Sequence, residues 1–337
     1  VPRRVLVLRA DYFYDERLVK ELMRAEDTLL SIPSTERPQA EPIAANVYGD
    51  HAKAITKVLE GAAPGELRDV PTEITQREPL DLVPAYNSQL RKFDPPFLFT
   101  ARADMVHEAE DRVFAASYKG ITDFITKHVF PRPALAVVRI LAQRGVHPNT
   151  VTLWSYGLTG LVILAFAWGW FITGLLAAWL MTFLDTVDGK LARTTMTYSR
   201  WGNVYDHGID LIHPPFWYWA IYVGLMREGT AYEPVWLTGA LAVILVIYVL
   251  NRLEELAFMR RFGFHIHVWR PVDSFMRTIT ARRNPNLLIF MLAVLAGFPE
   301  TGFLLVAAWT VICFVFHGVR LGQAFAASGP VTSWMDR

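Results

Sequence analysis

The chain has 337 residues, of which 53% are hydrophobic and 13% aromatic, with a formal net charge of +1. Its mean hydropathy is positive, +0.24, which predicts a membrane protein rather than a water-soluble globule. The single cysteine, Cys313, lies in an apolar run, so a disulfide framework is excluded and the thiol is expected to be a small buried hydrophobe. We expect no nucleic-acid partner.

The character of the chain changes near residue 118. Residues 1–118 are mixed and charged, whereas residues 119–337 carry long apolar runs. We therefore predict a small N-terminal α/β domain over 1–118. An all-α polytopic membrane domain with an interfacial helix at its start is predicted over 119–337.

The N-terminal part opens with a strand, an acidic loop and a helix. A buried strand is predicted over 4–10, ending at Asp11; Asp15 follows, and a helix is predicted over 16–25. This order is similar to the central segment of sugar-nucleotidyltransferase folds, in which an aspartate after a strand helps to bind metal. Residues 1–118 contain no Gly-rich, basic nucleotide loop. We therefore predict a degenerate nucleotidyltransferase-like domain without cytidylyltransferase activity, and we favour structural or vestigial roles for both aspartates.

Residues 119–144 alternate basic and apolar side chains, which is typical of an amphipathic helix in a membrane interface. Pro131 and Pro133 are expected to break this helix in two. About 20 apolar residues are needed to cross a bilayer. On that criterion six spans are predicted, over 150–169, 171–193, 203–226, 234–256, 285–298 and 302–320.

Basic residues are concentrated on one side of these spans. Seven arginines lie in the 251–284 connection, and Lys190, Arg193 and Arg200 lie where the second and third predicted spans meet, whereas Arg227 is the only basic residue of the opposite loops. Basic loops face the cytoplasm. We therefore predict an integral protein of the plasma (inner) membrane, with both termini, the N-terminal domain and the site described next in the cytoplasm.

Two pairs of aspartates lie at the end of the second predicted span and at the start of the third. Asp185 and Asp188 are three residues apart, and Asp206 and Asp210 are four apart, so each pair shares one helix face. Two facing helices can present all four carboxylates to one point, where their charges would repel one another. Hard divalent cations relieve that repulsion, and Mg²⁺ or Mn²⁺ suits an all-carboxylate site.

Three residues beside the aspartates favour a phosphate ligand. Gly189 and Gly202 lack side chains where a ligand approaches the backbone, and Arg193 supplies a fixed cation that suits phosphate. The segment matches the pattern D-x2-D-G-x2-A-R-x8-G-x3-D-x3-D at every fixed position. This pattern resembles the signature of the CDP-alcohol phosphotransferase (CDP-alcohol phosphatidyltransferase) family.

The resemblance implies a metal-dependent enzyme. A phospho-alcohol group would pass from a CDP-alcohol donor to an alcohol or phosphorylated alcohol acceptor, releasing CMP, in phospholipid or inositol-phosphodiester biosynthesis. Two divalent ions would be held by Asp185, Asp188 and Asp206, with Asp210 touching the second ion and acting as general base. Gly189, Ala192, Arg193 and Gly202 would hold the CMP moiety. The family also implies a homodimer among membrane lipids.

Two alternatives remain, one with a different donor and one in which the protein is not an enzyme. One is a CDP-diacylglycerol-dependent phosphatidyltransferase similar to phosphatidylinositol phosphate synthases. The other is a non-enzymatic scaffold or transporter, which the four intact aspartates argue against. Nucleotidyltransferase-like domains are fused to some family members, including enzymes that make and then use CDP-inositol.

Two further groups of residues remain open to two interpretations each. The sequence Pro-Asn-Thr-Val-Thr over 148–152 resembles the start of the first span in many family members, where Asn149 would either cap the helix or contact the nucleotide. A cluster of cytoplasmic arginines suits either a phosphorylated acceptor or anionic lipid headgroups. Its members are Arg270, Arg277, Arg282 and Arg283, with Asp273 placed either to orient or to balance them.

Overall fold

The structure, a computed structural model, describes residues 4–33, 40–60, 73–197 and 200–336, and within 200–210 it describes the backbone alone, apart from Gly208. The chain divides into two compact units, Val1–Ala116 and Ser117–Arg337.

The first unit is built around a four-stranded sheet. In chain order its strands and helices are β1 (Arg4–Leu8), β2 (Tyr12–Tyr14), α1 (Glu16–Arg24), β3 (Thr28–Ile32), β4 (Glu41–Tyr48), α2 (Gly49–Leu59), β5 (Thr75–Arg77), α3 (Pro79–Leu82), β6 (Tyr86–Asn87), β7 (Lys92–Phe93), β8 (Leu98–Thr100) and α4 (Val106–Ala116). The sheet order is β1-β4-β3-β5. Strand β4 runs antiparallel to both of its neighbours, whereas β3 and β5 are parallel. The unit is therefore the small α/β structure that the sequence predicts.

The predicted burial of the first strand is wrong. Strand β1 pairs only with β4, so it lies at the sheet edge, and its two end residues are exposed. The buried centre is β4, whose residues 43–47 are all inaccessible to solvent. Within it, the Asn46 side-chain amide donates to the carbonyls of Leu22, Met23 and Ala25, which satisfies backbone acceptors at the end of α1.

The two aspartates of the N-terminal pattern have structural partners. Asp15 is buried and caps α1 by accepting from the Arg17 backbone N–H at 2.9 Å, and it also pairs with the Arg17 guanidinium at 2.6 Å. Asp11 is exposed and forms an ion pair with Arg9 at 2.7 Å. These contacts support the structural roles that the sequence favours.

The second unit is helical. Its helices are α5 (Pro131–Gln143), α6 (Pro148–Ala167), α7 (Phe171–Thr194), α8 (Arg200–Glu228), α9 (Pro234–Phe262), α10 (Pro271–Ile279), α11 (Arg283–Leu295) and α12 (Pro299–Phe325). Among the described residues, α6, α7, α9 and α12 are long and apolar enough to cross a membrane. Helix α8 contains Pro214 and Pro215, and α11 has 13 residues. Six helices thus coincide with the six predicted spans, although α11 extends only about 20 Å and is short for a bilayer.

The segment before α6 is in two pieces. A π-helical turn covers Ile125–Val129, and α5 begins at Pro131, where the missing N–H of proline costs nothing. The predicted break is confirmed at Pro131, whereas Pro133 lies within the first turn of α5 and does not interrupt it. Phe124, Val129 and Ile140 expose about half of their apolar side chains, as a helix lying in a membrane interface would require.

Helices α6 and α8 approach each other closely at Gly224. A Cβ atom added there would lie 2.0 Å from the Phe166 carbonyl oxygen and 3.2 Å from the Gly169 nitrogen. Only glycine therefore fits the present spacing, and the contact fixes α8 against the turn between α6 and α7.

We expect Gly224→Ala to lower the stability of the membrane unit, because the added methyl group would push apart two backbones that cannot yield locally. The cost should be about 1–3 kcal/mol, as for other overpacked sites, and it should appear as a lower Tm of the detergent-purified protein. Gly239→Ala is the matched control, because a Cβ there meets no atom within 4 Å. Equal Tm values for the two variants would contradict the close contact.

Candidate metal and phosphate site

The first aspartate pair lies near the end of α7. Helices α6 and α7 are joined by residues 168–170 alone, so they run antiparallel and the start of α6 lies beside the end of α7. There the Thr152 hydroxyl donates to Asp188 Oδ2 at 2.7 Å. Asp188 is only 3% exposed, so its charge depends on this kind of donor for compensation.

Asp185, one turn earlier on α7, forms an ion pair with α11. The Arg283 guanidinium contacts Asp185 Oδ2 at 2.5 Å, and both side chains are largely shielded from solvent. The pairing joins residues 98 positions apart in the sequence. Each aspartate of the first pair therefore contacts a different neighbouring helix: Asp188 contacts α6 and Asp185 contacts α11.

The rest of the α7 signature surrounds Gly189. A Cβ atom at this position would lie 3.2 Å from Arg193 Nη2, so the guanidinium folds back over the glycine. Ala192 is half-buried beside it. Lys190 lies on another face, where its Nζ donates to the Ser117 carbonyl at 3.2 Å and stands 3.7 Å from the centre of the Tyr118 ring. Arg193 is thus the signature cation on the glycine face of the helix.

The second half of the predicted site lies on α8. Its backbone is helical from Arg200, so Asp206 and Asp210 are one turn apart on the same face. The side chains of Asp206 and Asp210, and the surroundings of Gly202, lie outside the described residues. The convergence of all four carboxylates therefore stays a prediction.

The predicted helix cap is wrong. His147, not Asn149, is the N-cap of α6, because the His147 imidazole accepts from the Asn149 backbone N–H at 3.2 Å. Pro148 occupies the first helical position, which moves the start of the helix one residue ahead of the asparagine. The Asn149 side chain is exposed, and its nucleotide contact stays a prediction.

The predicted arginine cluster is divided between separate partners. Arg282 contacts Glu255 of α9, whereas Arg283 contacts Asp185. The guanidinium of Arg270 lies 4.6 Å from the centre of the Trp269 ring. Arg282 is the extended N-cap residue and Arg283 is the first residue of α11, so these neighbours in sequence reach different carboxylates. Arg270, Arg282 and Arg283 therefore have separate partners and do not form one open cluster.

Asp273 has a different partner from the one predicted. Its carboxylate forms a bidentate pair with Arg320 of α12, with distances of 2.6 and 2.9 Å, and accepts from the backbone N–H of Arg270 at 3.0 Å. Asp273 therefore fixes α10 to α12 and caps α10.

Arg282 belongs to a polar cavity between α8, α9, α11 and α12. Its polar lining includes Arg252, Glu255, Arg282, Asn286 and His317. Glu255 accepts from Arg252 and from His267 at 3.3 Å each. Burial holds the pKa of His267 well below its usual range, although Glu255 acts in the opposite direction. With His267 neutral, the guanidinium groups of Arg252 and Arg282 face the Glu255 carboxylate.

Three residues of these sites were missed by sequence reasoning. Thr152 was visible one turn after Asn149 on the first span, which was the available signal. Glu255 and Asn286 carried no local signal, because each acquires its role through contacts between distant helices.

Part of the helical region matches a known protein family. Residues 145–280 match the family model described as CDP-alcohol phosphatidyltransferase, which confirms the resemblance carried by the signature. The chain is 33% identical to the phosphatidylinositol phosphate synthase of Streptomyces avermitilis over 97 residues, which are 28% of this chain and 39% of that protein.

A second relative matches a longer part of the chain. The bifunctional IPC transferase and DIPP synthase of Thermococcus kodakarensis is 23% identical over 256 residues, 74% of this chain and 53% of that protein. The chain thus spans less than two thirds of either relative. Among solved structures, the phosphatidylinositol phosphate synthase of Mycobacterium tuberculosis with CDP-DAG bound is 20% identical. That match has a TM-score of 0.43 and covers 60% of this chain and 98% of that one.

Thr152→Val should weaken divalent-metal binding at Asp188 by about tenfold, in the range observed when a ligand loses its hydrogen-bonding partner. The change removes the hydroxyl donor and keeps the side-chain volume. Mn²⁺ affinity can be measured by electron paramagnetic resonance on the purified protein. Thr152→Ser retains the hydroxyl, so its Mn²⁺ affinity should stay within about twofold of wild type. Equal Mn²⁺ affinities for the serine and valine variants would show that the Thr152 hydroxyl does not contribute to metal binding.

Proposed function

Because residues 145–280 match the CDP-alcohol phosphatidyltransferase family, we propose that the chain is a membrane enzyme. It transfers a phospho-alcohol group from a CDP-alcohol to an acceptor hydroxyl and releases CMP. The observation that carries the proposal is the end of α7, where Asp185 and Asp188 lie beside Gly189 and Arg193. Thr152 and Arg283 support the two aspartates from α6 and α11.

The donor atoms at this site fit a divalent cation. The family is in general dependent on divalent metal ions, and carboxylate oxygens are the ligands that Mg²⁺ and Mn²⁺ prefer. Asp185, Asp188 and Asp206 would hold two such ions, with Asp210 at the second. When bound, the ions supply positive charge that neutralises the diphosphate and the departing CMP.

The protein's own residues position the reactants. Arg193, folded over Gly189, would bind a phosphate of the CMP moiety, with Ala192 and Gly202 leaving room for it. Asp210 would take the proton of the acceptor hydroxyl as its oxygen bonds to the β-phosphorus. The bond between that phosphorus and the bridging oxygen breaks, and CMP leaves with the electron pair. Most of the rate gain would come from orientation and fixed charge.

The polar cavity favours an acceptor that carries phosphate. Arg252 and Arg282 line it against the single carboxylate of Glu255, and guanidinium groups bind phosphate in a fork-like geometry. A phosphorylated alcohol would therefore be the acceptor, and anionic lipid headgroups are the competing occupants.

The donor has two candidates. The similarity to a phosphatidylinositol phosphate synthase supports CDP-diacylglycerol as the donor. The match across 74% of the chain to a bifunctional IPC transferase and DIPP synthase supports a polar donor instead, of which CDP-inositol is the candidate. The enzyme would act as a homodimer in the inner membrane, with the site and both termini in the cytoplasm. The N-terminal unit would be a degenerate nucleotidyltransferase-like domain without cytidylyltransferase activity.

Release of CMP tests the proposal. The purified protein should release CMP in the presence of Mg²⁺ or Mn²⁺ when CDP-diacylglycerol and CDP-inositol are offered separately with a pool of acceptors. Asp206→Ala should abolish release, because a ligand to the ions is lost. The active donor then distinguishes the two candidates. A protein that binds neither CDP nor Mn²⁺ would favour a scaffold or transporter instead.

Asp210→Asn should reduce kcat by at least about a hundredfold, the usual contribution of a general base, while CDP binding remains detectable by calorimetry. The amide keeps the size of the side chain but cannot accept the acceptor's proton. Full turnover in this variant would remove Asp210 as the base, and loss of CDP binding would assign it to the metal site alone.

A further inference from the structure

The N-cap residue Arg282 and the first turn of α11 together join four separate parts of the membrane unit. Their polar side chains reach outward in different directions and each contacts a different element. The contacts are Arg282 with Glu255 of α9, Arg283 with Asp185 of α7, Asn284 with Asp123, and Asn286 with Tyr218 of α8. The position of this one turn therefore determines how Asp185 is supported.

Asp123 makes the contact that comes from outside the transmembrane helices. It precedes the π-helical turn, where its Oδ1 accepts from the Thr126 backbone N–H at 3.0 Å and from Asn284 Nδ2 at 3.0 Å. Asn284 Nδ2 also donates to Thr126 Oγ1 at 3.2 Å. Asp123 is 9% exposed and Asn284 4%. The pair is thus a buried bridge between residues 161 positions apart.

The electrostatics of the bridge favour an ionised carboxylate. Burial acts to raise the pKa of Asp123, but the Thr126 N–H, the Asn284 amide and the charge of Arg277 outweigh it, so that the pKa lies below its usual range. An ionised carboxylate can only accept hydrogen bonds, so the Asn284 amide must present its NH₂ group. The contact therefore has one allowed orientation, which suits a fixed support.

We propose that Asp123 is a positioning residue for the metal site, acting through Asn284. By holding Asn284, it fixes the first turn of α11 and hence the adjacent Arg283, whose guanidinium orients the Asp185 carboxylate. Groups that hydrogen-bond to ligating carboxylates commonly set metal affinity. The inference rests on the proposed function, and neither Asp123 nor Asn284 lies within the residues matched by the family model.

The test compares Mn²⁺ affinity and turnover in designed variants of the full chain. Asp123→Asn should weaken Mn²⁺ binding about tenfold and lower kcat, while the KM for the CDP-alcohol changes less than about twofold. The exchange variant, Asp123→Asn with Asn284→Asp, restores an amide–carboxylate pair and should recover most of the affinity. Thr126→Val removes one acceptor of Asn284 and should give a smaller loss in the same direction, even if the other variants fold poorly.

Asp273→Asn is the matched control. Asp273 is also a buried and paired carboxylate, but it pairs with Arg320 at the α10–α12 junction, so its variant should lose thermal stability without losing Mn²⁺ affinity. Unchanged affinity in Asp123→Asn, with affinity lost in Asp185→Ala, would overturn the positioning role and leave the proposed function intact. Unchanged affinity in Asp185→Ala as well would overturn both.

Discussion

A carboxylate buried at the end of an apolar helix needs a nearby donor or cation, because the free energy of desolvating an isolated charge exceeds what packing returns. The membrane unit is organised by this requirement. Asp188 receives the Thr152 hydroxyl, Asp185 receives Arg283, and Asp123 receives Asn284. Each partner lies on a different helix or segment from its aspartate. Satisfying the charges therefore aligns the ends of α6, α7 and α11 at one level of the bundle.

The same requirement links folding to the proposed chemistry. A site for a diphosphate needs fixed positive charge and carboxylates that stay ionised, and both are costly inside an apolar bundle. Arg193 over Gly189 and Arg283 on Asp185 provide the fixed cations that the structure describes on α7 and α11. Elsewhere in the membrane unit, close helix contacts such as Gly224 against Phe166 hold the helices rigidly together. Rigid support is what allows charge to be positioned before the reactants bind.

The sequence predicted those features that are encoded locally. Hydropathy predicted six spans, and four of them coincide with helices that are long and apolar enough to cross a membrane among the described residues. The prolines predicted the break before α5, and the spacing of the signature predicted that Asp185 and Asp188 share one helix face, as they do on α7. It failed where a residue's role depends on distant partners. The first strand, which the sequence predicts to be buried, is an edge strand because β4 lies between β1 and β3 in the sheet. Arg282 and Arg283 are adjacent in sequence, yet they contact Glu255 and Asp185, because the backbone changes from extended at Arg282 to helical at Arg283. The contact between Asp123 and Asn284 spans half the chain and leaves no local pattern.

The most direct test of the central claim is to locate bound metal. Crystals of the full chain grown with CDP and Mn²⁺ would reveal the ions through anomalous scattering. The account predicts Mn²⁺ at about 2 Å from carboxylate oxygens of Asp185 and Asp188, with α8 supplying Asp206 and Asp210 on the other side and the CDP diphosphate between them. Well-ordered CDP with Mn²⁺ bound elsewhere, or with Arg193 and the α7 aspartates away from the diphosphate, would contradict it.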